Sequence, residues 1–191
     1  MNTPSTPTVQ PVSRDELTLL VHGEHGSPHS ILGPHPHEGG VTIRALKPLA
    51  RTVVVRHGDG SEHPLEHEHE GVWVGVVPGT DVPDYRLEVT YDDGLLHTVD
   101  DPYRFLPTLG EVDLHLINEG RHEQLWEVLG SRVHHYEAPL GDLITGTAFA
   151  VWAPAARAVR LEGDFNSWDG RAHPMRQLGQ SGVWELSLIH I

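Results

Sequence analysis

Short runs of alternating apolar and polar residues dominate this chain. The clearest runs combine Val, Ile and Leu with Thr, Arg or Glu, and they predict strands at residues 41–46, 52–56, 72–77 and 85–91. Asp93-Gly94 follows the last run, and this dipeptide tolerates the positive φ angles that a tight hairpin turn requires. The pattern therefore predicts a mainly β protein.

One segment favours a helix instead. From His122 to Leu129, the residues Leu125, Trp126 and Leu129 fall on one side of a helical turn, and Gly130 follows as a C-terminal stop signal. We therefore expect a helical linker at residues 109–130.

The chain also contains an internal repeat. VTIRALKPLARTVVV from Val41 aligns with TAFAVWAPAARAVRL from Thr147, which places Pro154 at the position of Pro48, 106 residues later. Gly-Val-Trp at residues 71–73 recurs at 182–184. A spacing of about a hundred residues matches one immunoglobulin-like β-sandwich. We therefore predict two such sandwiches in tandem, joined by the helical segment.

The second copy is shorter than the first, because the sequence ends nine residues after its Gly-Val-Trp motif begins at residue 182. With about half the strands of a sandwich, it is expected to be truncated; the alternative is a small complete domain with fewer strands. The final string LSLIHI is similar to a translated sequencing adapter. The predicted organisation is a disordered leader (1–15), an N-terminal sandwich (16–108), the linker (109–130), an incomplete sandwich (131–186) and a non-native tail (187–191).

Charge and composition limit the possible partners and the expected location of the protein. Thirteen basic residues stand against 27 acidic ones, for a formal net charge of −14, which disfavours nucleic acid and anionic membranes as partners. The chain has no cysteine, no apolar run that could span a bilayer, and no secretory signal pattern. We expect a cytoplasmic protein whose partner is an uncharged polar molecule or another protein.

Several motifs carry a resemblance to a known family. HSILGPH from His29, DDPYRFLPTLGEVDLHL from Asp100, FAVWAPAARAVRLEGDFNSWDGRAHPMR from Phe149 and SGVWEL from Ser181 resemble the amino-terminal region of bacterial 1,4-α-glucan branching enzymes. The resemblance covers roughly residues 16 to 186. It implies an extra N-terminal module followed by a glycogen-binding-type carbohydrate module, both of which precede an α-amylase-family catalytic barrel.

The resemblance also implies what the chain does. The family transfers α-1,4-glucan chains to α-1,6 positions, using an aspartate nucleophile and a glutamate acid/base in the barrel. None of the acidic residues here matches those motifs. We therefore expect a non-catalytic fragment with no cofactor, whose partners are α-glucans (glycogen, maltooligosaccharides) and the missing catalytic barrel. The alternative is a non-enzymatic tandem β-sandwich that binds a glycan or a protein.

The candidate binding residues lie in DFNSWDG, Asp164 to Gly170. An indole ring offers a large apolar face with a polar N–H edge, and the C–H face of a glucose ring suits it. Asn166 could exchange hydrogen bonds with sugar hydroxyls. The resemblance implies that Trp168 stacks on glucose. The alternative is that Trp168 packs against a neighbouring domain or caps the sandwich.

The remaining aromatic and histidine residues are interpreted as structural. We predict that Trp73, Trp152 and Trp184 are buried in the sandwiches and that Trp126 packs the helix against one of them. The histidines of HPLEHEHE, which are His63, His67 and His69, are assigned to a polar loop. His35 and His37, beside two prolines, are assigned to a turn. A zinc site at His63, His67 and His69 is the rival interpretation. We expect no metal there, because a tight site needs a third or fourth ligand and supporting hydrogen bonds that the sequence does not show.

Overall fold

The computed structural model describes residues 7–137 and 143–189. The chain forms two compact units. The first contains residues 7–21 and 29–104, and the second contains residues 22–28 and 105–189 of the described part. Strands and turns make up most of both units, which confirms the mainly β prediction. No helix within the described ranges is both long and apolar enough to cross a membrane.

Within its described residues, the first unit contains one α-helix and seven strands, all paired antiparallel. Along the ladder the strands lie in the order β1-β2-β5-β4-β3-β6-β7. The elements are α1 (Arg14–Val21), β1 (Gly33–His37), β2 (Gly40–Leu46), β3 (Thr52–His57), β4 (Glu62–His69), β5 (Val72–Pro78), β6 (Tyr85–Thr90) and β7 (Leu96–Val99).

Strand β4 joins the two halves of this ladder. Its first half, residues 62–65, pairs with β3, and its second half, residues 66–69, pairs with β5. The ladder folds over at this point, because side chains from both halves share one core. That core consists of Val41, Ile43, Ala45, Val53, Val55, Leu65, Trp73, Val77, Tyr85, Leu87 and Val89.

The segment around Gln10 lies against the outer face of β2. The Gln10 backbone N–H donates to Thr42 Oγ1 at 2.9 Å, and the buried Arg44 donates to the Gln10 carbonyl at 3.0 Å. Arg44 also donates twice to the Glu68 carboxylate, at 2.6 and 2.9 Å. A fully buried guanidinium is tolerated here because a carboxylate and a carbonyl both accept from it.

The second unit contains α2 (Glu111–Asn118) and one four-stranded antiparallel sheet in its described residues, in the order β10-β11-β9-β8. Its strands are β8 (Gly130–Glu137), β9 (Leu143–Trp152), β10 (Arg176–Gln177) and β11 (Val183–Ile189). Helix α2 packs on one face of this sheet. The shared core there is Leu109, Ile117, Ala150, Leu178 and Val183.

The internal repeat is confirmed by equivalent hydrogen bonds. Strand β2 pairs with β5, and β9 pairs with β11 in the same way. At the end of each pair, the Lys47 N–H donates to the Gly71 carbonyl at 2.8 Å and the Ala153 N–H donates to the Gly182 carbonyl at 2.7 Å. The two copies differ after the proline bend. In the first copy the chain continues into strand β3, whereas in the second copy residues 157–161 form only an isolated β-bridge.

The predicted helix at residues 122–129 is wrong. The helix lies earlier, at Glu111–Asn118, where two acidic side chains occupy the first turn, near the positive end of the helix dipole. Residues 125–127 form a single 3₁₀ turn. Val128 and Leu129 pack against the core and β8 begins at Gly130, so strand pairing takes precedence over local helix preference.

Two segments assigned to loops or turns are strands. All of HPLEHEHE except its last residue, Glu70, belongs to β4, where Leu65 alone is buried among polar neighbours. His35 and His37 lie in β1, an edge strand that tolerates two prolines because it pairs on one side only. Residues 187–189, assigned to the tail, form the end of β11, and Ser187 accepts a hydrogen bond from Tyr136 at 2.8 Å.

Candidate functional site

A compact loop of residues 163–173, called the Trp168 loop below, carries the main candidate residue. It contains two 3₁₀ turns, residues 164–166 and 170–172. The backbone N–H of Trp168 donates to the Gly163 carbonyl at 3.0 Å, and the backbone N–H of Leu161 donates to the His173 carbonyl at 3.0 Å. Backbone hydrogen bonds thus close the loop on itself and fix it to the preceding segment.

Trp168 is held out from this loop. Its side chain is 67% exposed, and its Nε1–H donates to Asp164 Oδ1 at 3.0 Å. The backbone of Ser167 and Trp168 is left-handed, with φ of 53° and 61°. A bulky residue rarely adopts this conformation, which costs energy that the surrounding hydrogen bonds must offset. Such local strain at an exposed aromatic ring is a reason to look for a binding role there.

A second aromatic ring lies in the same loop. Phe165 is 53% exposed and contacts His173 edge to face, with ring centroids 5.4 Å apart. We did not predict Phe165 from the sequence, although the motif DFNSWDG places it three residues before Trp168. The loop therefore presents two exposed rings rather than one.

Asn166, the other predicted binding residue, makes its hydrogen bonds within the protein. Its Oδ1 accepts from the Gly163 N–H at 3.0 Å, and its Nδ2 donates to the Leu161 carbonyl at 2.9 Å. Nδ2 also lies 3.0 Å from Nδ1 of His173. The amide thus crosslinks both ends of the Trp168 loop, which gives it a role in shaping the loop.

Two charged residues of the loop, Asp169 and Arg171, form an ion pair. Asp169 accepts from the Arg171 guanidinium at 2.9 and 2.7 Å and from the Arg171 N–H at 3.1 Å. These hydrogen bonds from Arg171 lower the pKa of Asp169. This ion pair is neutral, and the Asp164 carboxylate of the same loop accepts the hydrogen bond from the Trp168 indole.

The other tryptophans divide into two groups. Trp73 and Trp184 are buried, as predicted, and Trp184 donates its indole N–H to the Ala153 carbonyl at 3.1 Å. The predictions for Trp152 and Trp126 are wrong, because these side chains are 55% and 69% exposed. Trp152 lies at the end of β9, past the last residue that pairs with β8, and Trp126 lies in the 3₁₀ turn.

The three histidines of β4 do not converge. His67 contacts Trp73 edge to face, with centroids 5.3 Å apart, and His63 contacts His57 in the same manner at 5.0 Å. His69 lies 3.4 Å from the Thr18 hydroxyl. Among residues 7–137 and 143–189, no group of three or more potential metal-ligating side chains comes together.

A buried polar cluster closes the first unit and was not foreseen from the sequence. Asp101 is buried and accepts from the Tyr85 hydroxyl at 2.6 Å and from the Tyr103 N–H at 3.0 Å. Burial raises the pKa of Asp101, although both hydrogen bonds act in the opposite direction. The Arg104 guanidinium lies over the Tyr85 ring, 5.5 Å from its centroid. The cluster ties the DDPYRF segment to β6 and has a structural role.

Comparison with known proteins first identifies the class of the second unit. Residues 115–190 match carbohydrate-binding module 48 (isoamylase N-terminal domain). Residues 13–103 match the N-terminal domain of the alpha-1,4-glucan branching enzyme GlgB. These two matches confirm the resemblance drawn from the motifs: the chain is similar to the N-terminal region of GlgB branching enzymes.

Individual relatives agree with this assignment. The chain is 61% identical over 171 residues to 1,4-alpha-glucan branching enzyme GlgB of Thermobifida fusca, covering 90% of this chain and 23% of the relative. It is 57% identical over 175 residues to GlgB of Frankia casuarinae, covering 90% and 21%, and 56% identical over 171 residues to GlgB of Rhodococcus jostii, covering 90% and 23%. The chain thus spans less than a quarter of these relatives' length.

Proposed function

We propose that this chain is a non-catalytic, glucan-binding part of a 1,4-α-glucan branching enzyme, and that Trp168 is its principal sugar contact. The observation that carries this proposal is the placement of the indole: its N–H edge is tied to Asp164, and its side chain is 67% exposed. A ring fixed at one edge loses little further freedom when a ligand stacks on it.

The chemistry of an α-glucan fits this loop. A glucose ring presents an apolar C–H face and a rim of hydroxyls, and an indole stacks on that face. Phe165, also exposed, is close enough in the chain to contact a neighbouring sugar of the same glucan. Asn166 serves the site by holding the loop in shape, since its amide bonds to Gly163 and Leu161. A net charge of −14 does not oppose an uncharged polysaccharide.

The proposal assigns catalysis to another part of the parent protein. The chain covers 21–23% of the three relatives' length. In the parent, this region would hold glucan chains near the catalytic barrel, which is its proposed intramolecular partner. The cytoplasmic location stays a prediction. Incubation of this chain alone with amylose should leave the iodine absorbance spectrum unchanged; a shift with time would contradict the non-catalytic assignment.

Binding is tested with a matched pair of substitutions. Trp168→Ala should weaken the affinity for maltoheptaose about twofold to tenfold, because an aromatic stacking contact is worth about 0.5–1.5 kcal/mol. Trp126→Ala is the control, since Trp126 is equally exposed, at 69%, but lies outside the loop. Isothermal titration calorimetry of the whole chain measures both. Equal affinities for Trp168→Ala and Trp126→Ala would contradict the proposal.

A further inference from the structure

An early segment of the chain, residues 22–28, belongs to the second unit. Two of its hydrogen bonds attach it there. The Arg160 Nε–H donates to the Gly23 carbonyl at 3.2 Å, and the Gln177 N–H donates to the Gly26 carbonyl at 2.9 Å. Residue 23 thus bonds to a residue that follows it by 137 positions in the chain.

Gly23 lies in close contact with the Arg160 side chain, and its backbone conformation favours glycine. Gly23 is buried and has a φ of +67°, a backbone conformation that side chains other than glycine seldom adopt. A Cβ atom at this position would lie 2.8 Å from Arg160 Nε and 2.9 Å from Arg160 Cδ. The Arg160 side chain therefore lies directly against the backbone of residue 23.

Arg160 also contacts the base of the Trp168 loop. A Cβ atom on the buried Gly170 would lie 2.7 Å from Glu162 Oε1 and 2.9 Å from Arg160 Cβ, so the loop backbone packs against both residues just two positions after Trp168. The backbone of Arg160 forms a β-bridge with Pro174, where the loop ends. The positive charge of Arg160 also contributes to lowering the pKa of Asp169, after the larger effect of Arg171.

These contacts place one side chain between the early segment and the loop. The left-handed backbone at Ser167 and Trp168 must be held in place by its surroundings, because it is unfavourable by itself. Arg160 is part of those surroundings, and Gly23 fixes the position of Arg160.

We propose that Arg160 is a positioning residue for the Trp168 loop and that residues 22–28 set the orientation of the Trp168 ring through it. The consequence for glucan affinity rests on the proposed function. A change that displaces Arg160 reorients the indole and weakens binding of α-glucans, although neither Gly23 nor Arg160 needs to touch the sugar.

The decisive comparison is Gly23→Ala against Gly26→Ala in the whole chain. Both glycines lie in the same segment, but a Cβ at Gly26 would meet nothing within 4 Å, and its φ lies outside the left-handed range. Incorporation of 5-fluorotryptophan gives one ¹⁹F signal per tryptophan, and Trp168→Phe identifies the relevant one. Gly23→Ala should shift or broaden that signal, whereas Gly26→Ala should leave it unchanged.

The binding measurement completes the test. Gly23→Ala and Arg160→Ala should each weaken maltoheptaose binding by about threefold to tenfold, since one hydrogen bond and its geometry are lost. Arg160→Lys, which keeps the charge, should recover part of the affinity. The double variant should bind no more weakly than Arg160→Ala alone, because both changes act through the same contact.

The outcomes separate the two proposals. An unperturbed Trp168 signal in folded Gly23→Ala would overturn the positioning role, whatever the glucan affinity. A perturbed signal in a protein whose affinity does not respond to Trp168→Ala would keep Arg160 as a positioning residue and would refute Trp168 as the sugar contact.

Discussion

Two glycines occupy equivalent positions in the repeat and should respond alike to substitution. Gly182 has a φ of +73°, and a Cβ there would lie 2.6 Å from Pro154 Cβ. Gly71 has a φ of +88°, and a Cβ there would lie 2.9 Å from Pro48 Cα. Each glycine thus allows the third strand of its copy to start directly against the proline bend.

The expected loss of unfolding free energy on substitution by alanine has two parts. A left-handed conformation costs alanine about 1 kcal/mol relative to glycine. A contact of 2.6–2.9 Å with a rigid proline ring forces a local shift, and overpacking of this kind costs about 1–3 kcal/mol. We therefore expect Gly182→Ala and Gly71→Ala each to lower the free energy of unfolding of their own unit by about 2–4 kcal/mol.

The controls isolate the close contact. Gly179 and Gly39 also have positive φ angles, of 58° and 81°, but a Cβ at either would meet nothing within 4 Å. Their alanine variants should cost about 1 kcal/mol each. Native-state hydrogen exchange followed by mass spectrometry reads the stability of β5 and β11 separately. If Gly182→Ala is no more destabilising than Gly179→Ala, the packing of glycine on proline does not explain the repeat.

Three further predictions concern buried polar groups. Burial raises the pKa of Asp101 above 3.8, so the native state binds the proton of this carboxyl group more tightly than the unfolded chain does. Relative to Asp101→Asn, the wild type should therefore lose stability as the pH rises from 3.8 through the raised pKa. Urea unfolding at a series of pH values measures this loss. Glu68→Gln should destabilise the protein by about 3 kcal/mol, because it leaves the buried Arg44 guanidinium without its carboxylate. Arg44→Met should destabilise it less, and thermal unfolding should rank the two variants in that order. Tyr136→Phe and Ser187→Ala should show a coupling energy of about 1 kcal/mol in a double-mutant cycle; a value near zero would mean that residue 187 is not held in β11 by this hydrogen bond.

An exposed aspartate provides the control of opposite sign for the pH experiment. Hydrogen bonds from Ser61 lower the pKa of Asp59 below 3.8. Its contribution to stability is therefore present above 3.8 and is lost as the pH falls through the lowered pKa. Relative to Asp59→Asn, the wild type should lose stability on acidification. Slopes of the same sign for both positions would contradict the assigned pKa directions.

The strands that the sequence reveals are those that bury alternate side chains. Strands β2, β3, β5 and β6 supply most of the core of the first unit, and each follows a run that was predicted. Strand β4 buries only Leu65, so no periodic apolar signal marks it. Its place is determined by pairing with β3 and β5, which a single sequence does not display.

Helix α1 was missed although its signal is present in the sequence. Ser13 and Glu16 form the S-x-x-E pattern of a capping box. In the structure the Glu16 N–H lies 3.2 Å from Ser13 Oγ, and the Ser13 N–H lies 3.2 Å from Glu16 Oε2. The predicted disordered leader, residues 1–15, therefore overlaps the start of this helix at Arg14.

The candidate site was only partly predictable. The motif around Trp168 is visible in the sequence, but the hydrogen bonds of Asn166 depend on how residues 161–173 fold back on themselves. The contact of Gly23 with Arg160 joins residues 137 positions apart, and no local pattern indicates it. The exposure of Trp152 is also a tertiary property, because its counterpart in the repeat, Leu46, is buried.

A titration of the five indole N–H signals with maltoheptaose, followed by ¹⁵N–¹H correlation spectra of the whole chain, tests the glucan-binding role most directly. We predict that the Trp168 signal shifts progressively and saturates, whereas the signal of the buried Trp184 stays in place. A saturating shift confined to other tryptophans, or no shift at all at millimolar maltoheptaose, would contradict Trp168 as the sugar contact.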